Sequence, residues 1–209
     1  MSRPAPTLVI VNPRAGGGVA NTVYRRIEHA IMDVRGPTDV AFTEGPGDAT
    51  EIARTAARDG RDWVLVCGGD GTVNEVVNGL VSGAAPGKRP ALCVLSGGTG
   101  GDLRRTLGTN SVRRTLELLA KEQVRTIDVG RVTAHDVETD LPFTRHFINV
   151  ASFGLGGLVD RHVHAFSALG GRPNRLVVIP RWIRWIMSCF LSSTLGGRLL
   201  PRCYLIYVT

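Results

Sequence analysis

Three short apolar runs in this 209-residue chain each pass straight into a glycine-rich loop and then into a helical pattern. Thr7–Val11 (TLVIV) leads into Asn12–Gly18 (NPRAGGG), Trp63–Cys67 (WVLVC) into Gly68–Gly71, and Ala91–Leu95 (ALCVL) into Ser96–Gly101. Runs this short and this uniformly apolar read as strands buried on both faces. Between them, Ala20–Val34 carries Val23, Ile27, Ala30, Ile31 and Val34 at helical spacing. Asp39–Phe42 reads as a second strand, and Asp48 to about Arg58 as a helix with Asp48 as its N-cap. Thr72–Val81, Asp102–Leu107 and Ser111–Lys121 read as further helices, and Val124–Val129 as a further strand. Strands separated by helices require crossover connections, which give a parallel sheet covered on both faces. The predicted fold class is therefore α/β.

After Gly130 the alternation stops. Phe147–Ala151 and Arg202–Val208 read as strands, and a domain boundary is expected near residues 130–135. No low-complexity linker or internal repeat separates the parts.

Composition narrows the function. Hydrophobic residues make up 43% and charged residues 21%, a globular balance that excludes a disordered or fibrous chain. The net charge of +7 is unevenly placed. All 18 acidic residues and 18 of the 25 basic ones lie in residues 1–160, which are therefore neutral. Seven arginines and no carboxylate occupy residues 161–209. A neutral main body argues against a nucleic-acid partner. Cys67, Cys93, Cys189 and Cys203 form no C-x-x-C pair, so a structural zinc site is not indicated and reduced cytosolic thiols are the default. Thr7–Val11 is too short for the apolar core of a secretory signal. Leu176–Leu191 is interrupted by Pro180, Arg181 and Arg184 and does not read as a membrane span. Trp182 and Trp185 beside those arginines fit either an interfacial segment or packing within a domain, and packing is favoured. His162 and His164 are two apart and would not share a helix face, so a metal role is not expected.

In a parallel sheet all three glycine loops fall at the C-terminal ends of the strands, the edge where open α/β sheets bind ligands. Glycine lets backbone approach a phosphate, and the free N–H groups of the following helix point at the anion. Three such loops on one edge suggest a nucleoside triphosphate. The chain has neither G-x-x-x-x-G-K-[ST] nor a G-x-G-x-x-G after the first strand, so it carries no P-loop and no Rossmann fingerprint. The most informative stretch is Gly68-Gly69-Asp70-Gly71-Thr72-Val73-Asn74-Glu75. Thr72 and Glu75 also fit a capping box. A capping box does not account for Asp70, a carboxylate flanked by glycines at the end of a buried strand. A carboxylate beside phosphates calls for a divalent cation or a donor hydroxyl. In the third loop Thr99 offers a hydroxyl, while Asp102 also fits an N-cap. Thr43, in Thr43-Glu44-Gly45-Pro46-Gly47-Asp48, ends the second strand on the same edge.

At these loops the chain resembles the diacylglycerol kinase catalytic-domain family, which also holds sphingosine, ceramide and bacterial lipid kinases. The matching pieces are Val11-Asn12-Pro13 with Gly16, Thr43 with Gly47-Asp48-Ala49, Gly68 to Leu80 (GGDGTVNEVVNGL), Gly98-Thr99-Gly100, Asp128-Val129-Gly130 and Phe147 to Gly154. They span roughly Thr7 to Asp160. GGDGT alone is shared with NAD kinases and phosphofructokinases, whereas the continuation NEVVNGL points to the lipid-kinase branch. The resemblance implies an NAD kinase/diacylglycerol kinase-like nucleotide-binding domain over residues 1–132, and a partial β-sandwich lipid-kinase domain over residues 133–209. It implies transfer of the ATP γ-phosphoryl to a lipid hydroxyl such as that of diacylglycerol, with magnesium. Its nucleotide contacts would fall on Asn12, Pro13, Arg14, Ala15 and Gly16, on Thr43, on Gly69, Asp70, Gly71, Thr72, Val73, Asn74 and Glu75, and on Thr99, with Asp70 as the catalytic carboxylate. ATP and a lipid alcohol would be the partners, in the cytoplasm or at the inner membrane surface. A homodimer is compatible with the sequence but not specified by it.

Two departures stand out. The family's third loop usually reads PLGTGNDFAR, and here Ser96 to Arg105 reads SGGTGGDLRR. The family's second domain supplies an acidic base from an Asp-Gly-Glu stretch, and no carboxylate follows Asp160. An incomplete second domain is therefore expected. The alternatives are an NAD kinase-like phosphotransferase and an ATP-binding fragment that lacks catalysis.

Overall fold

The computed structural model describes residues 6–148, apart from 86–87, 97–101, 110 and 137–138. Four strands, β1 (Thr7–Val11), β2 (Thr38–Phe42), β3 (Trp63–Gly68) and β4 (Ala91–Ser96), form one parallel sheet in the order β2-β1-β3-β4. Helices α1 (Val19–Arg35), α2 (Asp48–Arg58) and α3 (Asp70–Gly83) connect them, and α4 (Asp102–Leu107) and α5 (Val112–Ala120) follow β4.

Strand alternation explains the two helical layers. Leu8 and Ile10, Val64 and Val66, and Leu92 and Val94 face one way. They pack on the alanines Ala49, Ala53, Ala56 and Ala57 of α2 and on Val73, Val76, Val77 and Leu80 of α3. Val9 and Val11, Leu65 and Cys67, and Cys93 and Leu95 face the other way, onto Tyr24 and Ile31 of α1 and Leu119 of α5. Each central strand is thus apolar at consecutive positions because each of its faces meets a helix. The α2–α3 contact is backbone-close. A Cβ placed on Gly79 would lie 2.2 Å from the Thr50 carbonyl oxygen, so only glycine fits there.

The parallel α/β architecture agrees with the expected fold class. Several local expectations are corrected. Asp48 is not the N-cap of α2. Gly47 holds that position at φ 89°, and the Asp48 carboxylate instead accepts hydrogen bonds from the Glu44 and Gly45 N–H groups at 2.7 and 2.8 Å. Thr72 does not cap α3, which starts earlier, behind Gly69. Val124–Val129 forms no strand and makes only isolated bridges at Arg125 and Val129. There, Ile127 and Val129 pack on the core while Val124 is exposed, so the alternation reports one-sided burial of an irregular segment. A hairpin comes next, β5 (Gly130–His135) antiparallel to β6 (Pro142–Phe147). Its second strand lies earlier than the predicted Phe147–Ala151, and the chain bends at Ile148. Ala151, Arg202–Val208, the Trp182–Trp185 segment, His162, His164, Cys189 and Cys203 lie outside the described residues. Among the described residues no helix is long and apolar enough to cross a membrane.

Candidate functional site

β1 and β3 are in register, with Val11 opposite Cys67, so both deliver their loops at the same edge. The ladder runs one step past the strands. Asn12 N–H donates to the Cys67 carbonyl and Thr43 N–H to the Val11 carbonyl, each at 2.9 Å. Asn12 and Thr43 therefore leave the sheet side by side. Beyond them lies a cleft of about 600 Å³ walled by three pieces of chain: Asn12 with Arg14 to Gly16, Thr43 to Pro46 with Ala49, and Gly69 to Thr72 with Glu75. That volume falls in the range of small-molecule sites.

Each wall is held by its own chemistry. In the first, Gly16, Gly17 and Gly18 all have left-handed φ (62°, 68° and 95°), which lets the loop coil tightly before α1. The Asn12 amide braces it. Its Oδ1 accepts from Arg14 N–H at 3.0 Å, and its Nδ2 donates to Thr72 Oγ1 at 2.9 Å. That second bond joins the first wall to the first turn of α3. In the second wall, the Asp48 carboxylate ties down the Glu44 and Gly45 amides. The third wall is the start of α3, with Asp70 as its first residue and no side chain capping Gly69. Helix N-termini leave their first N–H groups without intrahelical partners, so this end faces the cleft with donors and a partial positive charge. Thr72 is buried, and Gly68 makes room for it: a Cβ there would lie 2.6 Å from the Thr72 Cβ.

The side-chain charge in the cleft is mostly negative. Among the described residues, Asp70, Glu44 and Glu75 face one cation, Arg14. Among the described residues no group of three His, Cys, Asp or Glu side chains is placed to hold a metal ion. Cys67 and Cys93 lie on the strands beneath the site, and burial pushes both thiols up to about 12, so neither is a nucleophile near neutral pH.

Of the residues singled out from sequence, Asn12, Arg14, Ala15, Gly16, Thr43, Gly69, Asp70, Gly71, Thr72 and Glu75 line this one cleft. Pro13 and Asn74 do not line it. Val73 points into the core, where it is 2% exposed. Thr99 lies outside the described residues. Glu44, Gly45, Pro46 and Ala49 also line the cleft and went unselected beside Thr43. The signal for them was the Gly45-Pro46-Gly47 turn, which sits on the same edge but reads as an ordinary connection.

Residues 6–132 match the family model for the diacylglycerol kinase catalytic domain. The chain is 32% identical over 148 residues to a diacylglycerol kinase of Bacillus subtilis (strain 168), covering 70% of this chain and 45% of that protein. It is 31% identical over 150 residues to a diacylglycerol kinase of Staphylococcus aureus (strain JH9), covering 70% and 42%. A crystal structure of a diacylglycerol kinase from Bacillus anthracis str. Sterne superposes with a TM-score of 0.55 at 32% identity, covering 71% of this chain and 50% of that one. The chain spans about half the length of the relatives it matches.

Proposed function

The chain belongs to the diacylglycerol kinase catalytic-domain family, and we propose that it supplies the nucleotide-gripping part of an ATP-dependent lipid kinase acting on a lipid alcohol such as diacylglycerol. The observation that carries this reading is the position of Asp70: first residue of α3, in a cleft whose other walls are the loops after β1 and β2. In the reaction the bond from the γ-phosphorus to the β–γ bridging oxygen breaks, a bond to the lipid oxygen forms, ADP leaves, and the hydroxyl proton passes to a base.

The residues present suit a polyphosphate. Backbone N–H groups of α3 and the left-handed glycines of the first wall accept close approach by phosphate oxygens, and Arg14 adds a side-chain cation lining the cleft. Three lining carboxylates would repel a bare triphosphate, so the nucleotide enters with a divalent cation. Asp70 would hold that cation, magnesium, which when bound spreads the charge that develops on the transferred group. The chain's own contribution is to position. The Asn12–Thr72 bond fixes the first and third walls against each other, and the Asp48 carboxylate fixes the second. On this reading residues 1–132 bind the nucleotide and residues 133–209 belong to the lipid-side domain. The protein would work from the cytoplasm at the surface of the membrane that holds its substrate.

The test is transfer of labelled γ-phosphate from Mg-ATP to diacylglycerol and other lipid alcohols in mixed micelles by the natural gene product. Transfer that Asp70→Asn abolishes without loss of fold is expected. ATP binding with no transfer to any lipid would overturn the lipid assignment, and formation of NADP from NAD would replace it.

A further inference from the structure

Asn78 sits in the middle of α3, eight residues after Asp70, or about 12 Å along the axis at the rise of an α-helix. It is an unexpected residue there. Asparagine is a weak helix former, and this one is 8% exposed among Val73, Val76, Val77 and Leu80. Its amide is fully engaged. Nδ2 donates to the Asn74 carbonyl at 2.8 Å and to the His146 carbonyl at 2.9 Å, and Oδ1 accepts from the His146 N–H at 2.9 Å.

Asn78 therefore grips both main-chain groups of one residue of β6, as a neighbouring strand would. His146 stands opposite Arg131 of β5, and its N–H and carbonyl turn away from that strand toward α3. No similar side chain reproduces the grip. Aspartate offers no donor, leucine neither donor nor acceptor, and glutamine a longer reach. Two residues on, Ile148 is buried in the core that α2 and α3 share. The hairpin strand is thus fixed to the very helix whose N-terminus carries Asp70.

We propose that Asn78 is a positioning residue for phosphoryl transfer: it holds β6 in one register against the helix that presents Asp70. The proposal rests on the kinase reading. In-line transfer needs its two reactants placed to within a fraction of an ångström, and a misplacement of about 1 Å costs up to about a hundredfold in rate. The nucleotide cleft, by contrast, is not lined by Asn78.

The test takes the natural gene product with Asn78→Ala and Asn78→Asp. Three quantities are measured: the Kd for Mg-ATP, kcat for lipid phosphorylation, and amide hydrogen exchange at His146. In Asn78→Ala the His146 amide should lose its protection and kcat should fall about 10- to 100-fold, while the Kd stays within about twofold. Asn78→Asp keeps the acceptor for His146 N–H but sets a buried carboxylate against the Asn74 and His146 carbonyl oxygens, so its kcat should fall at least as far. A folded variant with an exposed His146 amide and wild-type kcat would overturn the proposal. So would parallel losses of kcat, nucleotide affinity and melting temperature, which mark a purely structural role. If neither variant folds, the residue is structural and the proposal fails. A wild-type protein inactive on every lipid alcohol would defeat the kinase reading, and this inference with it.

Discussion

At the scale of single residues, the side chains of the cleft divide into those that face the ligand space and those that hold the walls. Asn12 lines the space, yet both ends of its amide are spent on Arg14 and Thr72. Asn12→Ala should therefore weaken Mg-ATP binding by loosening two walls. Losing two hydrogen bonds worth about 1 kcal/mol each predicts up to roughly a thirtyfold rise in Kd by calorimetry. Asp70→Asn keeps the shape and removes the charge, so turnover should fall at least about a hundredfold with an unchanged circular dichroism spectrum. His146 gives a pH signature. Its imidazole is held below the ordinary histidine range, first by burial and then by the charges of Arg131 and Arg89. The unfolded chain then binds this proton more readily than the folded one, so stability is retained above the ordinary histidine pKa and lost as pH falls through and below it. Urea midpoints between pH 7.5 and pH 5.5 should fall further for the wild type than for His146→Gln. The sequence made Asp70 stand out because a carboxylate among glycines has no cheap structural explanation. It did not reveal the Asn12–Thr72 brace or the grip of Asn78 on His146, because each depends on a partner that only folding brings near, and it read Asp48 as a cap where the carboxylate holds the Glu44 and Gly45 amides.

At the scale of elements, the parallel strands were legible because burial on both faces leaves an unbroken apolar run. The hairpin was not. Most of β6 is exposed and reads Pro142-Phe143-Thr144-Arg145-His146-Phe147, without the period-two alternation that marks a half-buried strand. The helix caps were misjudged for one reason. Asp48 and Thr72 are good capping types, yet glycines hold both cap positions, which frees their side chains to bind the loops of the cleft. The α2–α3 contact is the element-level constraint most open to test. Gly79→Ala would drive a Cβ into the Thr50 carbonyl, and Gly83 makes a similar approach to Arg54. Alanine gains up to about 1 kcal/mol in helix propensity, but overpacking costs about 1–3 kcal/mol and here meets backbone. Denaturant unfolding should show a net loss of stability, with activity falling in parallel because α2 and α3 carry two of the three walls.

At the scale of the whole molecule, the sheet's direction turns separate sequence motifs into one site. Because β1, β2 and β3 are parallel, segments about 30 residues apart finish at one edge, and the loops leaving that edge enclose the cleft. An alternating strand and helix pattern is enough to predict that gathering. The balance of charge in the cleft is not predictable in the same way, since Glu44 and Pro46 sit in a turn that looks generic. Its excess of carboxylates makes a further demand: nucleotide binding should depend on a divalent cation. Chelation of magnesium should weaken ATP binding by far more than the removal of any one side chain.

The central claim, that polyphosphate sits against the start of α3 between the loops after β1 and β2, can be read amide by amide. Backbone hydrogen exchange of the 209-residue chain, with and without Mg-ATP, addresses it directly. The account predicts new protection at residues 12–17, 43–48 and 69–75, with the β5–β6 hairpin unchanged. Protection concentrated on the hairpin or at the opposite ends of the strands, or none at saturating nucleotide, would contradict it.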